Sequence, residues 1–334
     1  MTIFHTRRRF MKTLSLAGTA SLVRAPRVLA AEGALETTTV RFAKVSPNIC
    51  VAPQYVAEAL LRAEGFTDIR HVDVAGPVPE AIARGTADFG MIYAPVFLTA
   101  IDAGLRFKML AGVHVGCFAL FGNQSSRSIT ELKGKRFAMG GLRGPAHLLM
   151  SVMAAYVGLD PTRDIDWVVS QAPKPIELFM DGKVDALMAF PPDPQLLAAR
   201  GFSNVIVNSA LDHPWAQYFC CILAGNLDYV RDYPVATKRA LRAVLKAADL
   251  CAAEPVFAAQ RLVDDGFTPR FDYALQAMRE IPYDRWREYE AEDTIRFYAL
   301  RLHDAGLITS NPQKIIAEGT DWRFLNEIKR ELKA

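Results

Sequence analysis

The chain offers no apolar run of the ~20 residues that a membrane-spanning helix needs. Its N-terminal apolar stretch, Thr13 to Val23, is about eleven residues long, carries Gly18 and the hydroxyls of Thr13, Ser15, Thr19 and Ser21, and stops at Arg24. Beyond residue 30 it also lacks the zinc-protease HExxH, the phosphate-binding GxxxxGK, the dinucleotide-binding GxGxxG and the nucleophile-elbow GxSxG. Cysteine is scarce, with five in 334 residues: Cys50, Cys117, Cys220, Cys221 and Cys251. An odd number leaves at least one without an intrachain partner, although an oxidising compartment would permit a disulfide. The adjacent Cys220 and Cys221 sit in an apolar run and read as buried small hydrophobes facing opposite sides of a strand.

What is present begins with an address. A basic patch (Arg7, Arg8, Arg9, Lys12), a short apolar stretch and the small-residue pattern Val28, Leu29, Ala30 follow in the order of a secretion signal, with cleavage expected after Ala30. Thr6 to Lys12 resembles the twin-arginine consensus, with Met11 as its aliphatic residue. Removing residues 1–30 removes six basic residues and no acidic one, which takes the net charge from +3 to −3. The remainder has no basic run, so neither nucleic acid nor an anionic membrane is expected as a partner.

About 300 residues exceed what one core fills, so two domains are expected. Thr38–Val45, Asp68–Val74 and Asp88–Tyr93 read as strands, with helices over Pro53–Glu64 and Pro77–Ala87 between them. A second unit follows: strands Lys135–Met139, Ile165–Val169 and Asp185–Phe190, helices Pro145–Val157 and Pro175–Gly182. Alternation of this kind implies parallel sheets. At an offset of 97, Glu80, Gly85, Asp88, Met91 and Pro95 fall on Glu177, Gly182, Asp185, Met188 and Pro192. Arg41, Phe42, Ala43 recurs as Arg136, Phe137, Ala138, so one βαβαβ plan is used twice. The chain after Asp228 reads as helices that pack on this frame.

Parallel sheets bind ligands in the crevice beyond the carboxyl ends of their strands. That rule nominates the loops 46–51, 93–96, 114–117, 140–147 and 190–194. Candidate ligand contacts there are Ser46, Asn48, Tyr93, Pro95, His114, Gly116, Arg143, Gly144, His147, Phe190 and Pro191, with Trp215 as a further aromatic wall. Arg143 is suited to a bidentate grip on a carboxylate. Cys50, His114 and Cys117 include donor types for a soft metal, but no metal ligand is assigned.

Ile129 to Ala138 resembles the signature of substrate-binding proteins of ABC transporters, as do Gln54–Phe66 and Gly85–Gly90. The resemblance spans about Val40 to Ala189 and points to the group that binds nitrate, taurine, sulfonates, aromatic acids or thiamine-type pyrimidines. It implies an α/β, type II periplasmic-binding-protein fold of two Rossmann-like lobes: 31–115 with 222–334, and 116–221. Two segments, within Phe107–Gly122 and Trp215–Gly225, would cross between the lobes. It further implies a monomeric periplasmic protein without cofactor or enzymatic activity, which closes on a small anionic organic solute and hands it to an ABC permease. The loop Gly140–His147 contains no Ser or Thr, unlike the family's sulfonate binders, which favours an organic acid. Two alternatives stand beside this: a pyrimidine binder or related pyrimidine-synthase-like enzyme, and an exported ligand-sensing module.

Overall fold

The computed structural model describes residues 33–45 and 48–332. The expected signal peptide and Ser46 lie outside the described residues. From Leu35 onward the chain is one compact unit, and it contains two five-stranded sheets.

The strands are β1 (Thr39–Ala43), β2 (Asp68–Val72), β3 (Phe89–Tyr93), β4 (Phe107–Val115), β5 (Ala119–Gly122), β6 (Lys135–Met139), β7 (Ile165–Val169), β8 (Ala186–Ala189), β9 (Val205–Asn208) and β10 (Phe219–Asn226). The first sheet runs β2-β1-β3-β10-β4 and the second β7-β6-β8-β5-β9. In each, three parallel strands are followed by one antiparallel strand that arrives from the other sheet: β10 in the first, β5 in the second. The apolar strands β3, β8 and β10 are almost wholly buried, as expected where a sheet is covered on both faces. Among the described residues no helix is long and apolar enough to cross a membrane.

Periodicity located these elements closely. The bounds of β6 and β7 coincide with those expected from sequence, while the helix expected over Pro53–Glu64 divides into Ala52–Val56 and Glu58–Ala63. The larger difference concerns the connections between sheets. The first crossing is residues 116–118, inside the expected span, but the second is residues 209–218, beginning before Trp215. Phe219 onward already belongs to the first sheet, ahead of residue 222 where the sequence reading places that return. A connecting strand and a buried core strand present the same apolar run, so the pattern alone does not separate them.

The sequence repeat has a structural cause. In the first sheet the Asp88 carboxylate accepts from the Arg41 amide at 2.7 Å and from both sides of its guanidinium, Nε at 3.1 Å and Nη2 at 2.6 Å. In the second, Asp185 accepts from the Arg136 amide at 3.0 Å, Nε at 3.0 Å and Nη2 at 3.1 Å. Each aspartate also donates its own N–H to the same arginine's carbonyl. Its carbonyl in turn accepts from an asparagine at the end of the antiparallel strand, Asn226 or Asn123. The helix before each aspartate ends at a glycine of positive φ, Gly85 (71°) or Gly182 (69°), a conformation that disfavours any side chain. The Arg136 guanidinium holds the Asp185 carboxyl below the usual carboxylate range.

Asp88 is 5 % exposed in its side chain and Asp185 17 %, so the two clasps differ in strength. Asp88→Asn keeps the shape but loses charge-assisted bonds, and is expected to lower unfolding free energy by about 1.5–3 kcal/mol. Asp185→Asn should cost less, because Arg136 is better solvated. Urea denaturation at neutral pH measures both; an equal or larger loss at Asp185 would contradict the ranking.

Candidate functional site

The carboxyl ends of β1, β3, β6 and β8 open on one cavity of about 740 Å³ between the sheets. From the first sheet come Asn48 and Tyr93, joined by Thr268 and Pro269 of a C-terminal loop. The second sheet contributes Met139 at the end of β6, Gly140 and Gly141 after it, then Gly144, Pro145 and Ala146 where the next helix starts. Lys174 and Ile176 follow β7, and Phe190 to Asp193 follow β8.

Aromatic contact closes the floor. The Tyr93 ring meets Phe190 of the other sheet at 4.7 Å, and Phe118 of the first crossing lies 6.2 Å from Phe190. The Tyr93 hydroxyl accepts from Asn48 Nδ2 at 3.1 Å. Most of the remaining wall is apolar, with one lysine and one carboxyl. Burial pushes the Asp193 carboxyl up to about 6, with Lys174 pulling it the other way. Among the described residues the lining contains no cysteine, histidine or serine.

The expected contacts therefore separate into two groups. Asn48, Tyr93, Gly144, Phe190 and Pro191 line the cavity. Pro95, His114, Gly116, Arg143, His147 and Trp215 do not. Pro95 is buried in the first turn of the helix Ala94–Asp102. Arg143 is exposed, with φ 60°. Its amide donates to His147 Nδ1 at 3.3 Å, and the His147 ring packs on Trp167 at 4.7 Å. Trp215 is 3 % exposed and packs edge-on against Tyr156 and Phe297, within the second crossing.

Lys174, Asp193, Ile176, Met139 and Thr268 were not singled out by the sequence. Asp193 lies inside a nominated loop, and Lys174 follows β7, where the strand-end rule applies equally. Thr268 belongs to the helical C-terminal region, and no strand-end argument reaches it.

Gly116 and its neighbours hold the crossings together. At φ 56°, a Cβ on Gly116 would lie 2.4 Å from Ala210 Cα and 2.6 Å from Ser209 O. Ser209 Oγ accepts from the amides of Cys117 (3.0 Å) and Phe118 (2.9 Å) and donates to Phe118 O at 2.7 Å. Behind Asn48 lies a set of thiols. Cys50 Sγ donates to Asn48 Oδ1 at 2.9 Å, and burial pushes this thiol up to about 11. The expected burial of Cys220 and Cys221 is found, and all five cysteines are free. They are not placed simply on opposite faces, however, because β10 has a bulge at Cys220: Phe219 pairs with Val115 and Cys221 with His114.

Two parallel sheets, an antiparallel return strand in each and a cleft between their carboxyl ends define the periplasmic-binding-protein fold. The model of the NMT1/THI5-like family matches residues 68–258, and the chain belongs to that family. The fold is similar to that of the periplasmic nitrate-binding protein NrtA of Synechocystis PCC 6803, with a TM-score of 0.72, 15% identity and 90% of each chain covered. It is also similar to a putative sulfonate-binding protein SsuA of an ABC transporter from Methylobacillus flagellatus KT, with a TM-score of 0.66, 18% identity, and 88% of this chain and 94% of that one covered. The desulfurization enzyme DSZB shares the architecture at a TM-score of 0.60 and 15% identity, covering 88% of this chain and 99% of the other. No curated protein matches the chain.

Two outcomes test this geometry. Gly116→Ala should destabilise by at least ~3 kcal/mol, since it combines a disfavoured φ with a backbone clash; calorimetric melting reads it. At Asp193 the folded state holds its proton up to about pH 6, above the ordinary carboxyl value, so the buried carboxylate opposes folding once it ionises. Asp193→Asn should therefore match the parent in stability below about pH 3, where the carboxyl is protonated folded and unfolded, gain on it between about pH 4 and 6, and keep the full advantage above pH 6, as followed by urea unfolding across that range.

Proposed function

We propose that the chain is the periplasmic solute-binding component of an ABC importer, capturing a small anionic organic solute between two lobes. The observation that carries this reading is the cleft itself. It lies between the carboxyl ends of two sheets joined by two short crossings, is walled by Tyr93, Phe190, Ile176 and Met139, and holds a single cation, Lys174, among its lining residues. The second sheet with its helices, residues 119–208, would form one lobe and the first sheet with the C-terminal helices the other, with closure driven by tighter binding in the closed arrangement. Export by the twin-arginine signal would put the protein in the periplasm, and an ABC permease would receive the solute.

Binding without turnover is the expected behaviour, with the apolar wall receiving the body of the solute. Lys174 and the uncapped start of the helix Pro145–Tyr156 supply positive potential to an anionic head group. Carboxylates with a planar or aliphatic body fit best, because no hydroxyl side chain lies in the loop between β6 and that helix.

A thermal-shift screen against aromatic and aliphatic carboxylates, sulfonates, nitrate and pyrimidines is expected to give a carboxylate hit without turnover. Affinity for it should weaken as pH rises through about 6, when Asp193 becomes a second anion in the cleft. Lys174→Ala should weaken it by up to about fivefold, the modest scale of an exposed ion pair. No shift with any compound, or tightest binding by a neutral pyrimidine, would overturn the proposal.

A further inference from the structure

We infer that the hinge region contains a buried metal site for a thiophilic, tetrahedrally coordinated divalent cation, zinc in chemical type, formed by Cys50, His114, Cys117 and Cys221. The ligand atoms of these four residues all lie within 4.8 Å of one another. Cys50 Sγ and Cys221 Sγ are 3.7 Å apart. A tetrahedron with metal–sulfur bonds of about 2.3 Å has sulfur–sulfur edges of about 3.8 Å, so this edge already has the required length. Three thiols and one imidazole are a donor set that selects zinc or copper(I) over magnesium or calcium.

The imidazole gives the second observation. His114 is fully buried, and its Nδ1 pairs with the Gly116 carbonyl at 3.2 Å. A carbonyl only accepts, so Nδ1 carries the proton and Nε2 is the nitrogen available to ligate. Nε2 has no hydrogen-bond partner, which is costly for a buried polar atom unless something occupies its lone pair. A backbone carbonyl on the far nitrogen is the arrangement that orients metal-binding histidines. The Tyr283 ring, edge-on at 5.0 Å, holds the imidazole from the side, and its hydroxyl donates to the Cys50 carbonyl at 3.1 Å.

The four donors come from three parts of the chain: the turn Ile49–Val51, the end of β4 with the first crossing, and the bulged start of β10. The bulge brings Cys221 opposite His114. Asn48 lines the cavity and accepts from the Cys50 thiol, so the site lies directly behind that part of the cleft wall. Nothing in this site depends on which solute the cleft holds.

The test is titration of the purified, fully reduced chain with cobalt(II), whose tetrahedral thiolate complexes show ligand-field and charge-transfer bands, followed by zinc(II). Reductant is needed because Cys220 Sγ is 2.7 Å from Cys117 Sγ, close enough for oxidation to withdraw Cys117. One cobalt per chain, thiolate bands abolished by zinc, and a zinc-dependent rise in Tm are expected. Cys221→Ser and His114→Gln should each weaken binding at least tenfold, while Cys251→Ser, outside the cluster, should not. Absence of thiolate bands in the folded wild-type chain with five titratable thiols would overturn the inference without recourse to any variant. Unchanged bands in folded Cys221→Ser would overturn it as well.

Discussion

Each sheet depends on a carboxylate that binds the amide and the guanidinium of an arginine on the neighbouring strand. Asp88 does this for Arg41 and Asp185 for Arg136. The bond fixes the register of the first and third strands of each unit at the amino end of the third. It also fixes the fourth strand, through the asparagine amide that meets the aspartate carbonyl. A register slip of one residue would exchange the two buried faces of β3 or β8 and misfit the packing on both, so a charge-assisted anchor at this point protects the whole buried layer. The anchors sit at the amino ends, and the carboxyl ends of β3, β6 and β8 open to the cleft.

That division explains which parts of the molecule were legible in the sequence. The clasp was visible as a spaced identity, since an arginine and an aspartate must recur where the same bond recurs. Strand and helix positions followed from periodicity, and β6 and β7 emerged with their expected ends. Five of the expected ligand contacts line the cavity because the strand-end rule is a statement about topology. The other described ones lie outside it for local reasons. Arg143 takes a left-handed conformation and stands exposed, and the His147 ring is drawn onto Trp167. Trp215 serves an aromatic cluster in the second crossing.

The thiols were the least legible feature. Cys50, Cys117 and Cys221 are spaced by 67 and 104 residues and fit no local motif. Their meeting depends on the order in which β10 enters the first sheet and on a bulge at one residue, neither of which leaves a periodic trace. His114 carried a signal that strengthens only in three dimensions, where one of its nitrogens is satisfied and the other is not.

The two crossings touch at Gly116, where there is no room for a side chain above Ala210, and they are bound again through Ser209 Oγ. Two independent tethers would let the halves of the molecule twist as well as fold. Tethers joined in this way at one point would behave as a single strip, which bends more readily about one axis than it twists. Any relative motion of the sheets would thereby be reduced to something like the opening of a book along its spine, with the facing pages meeting in the same registration.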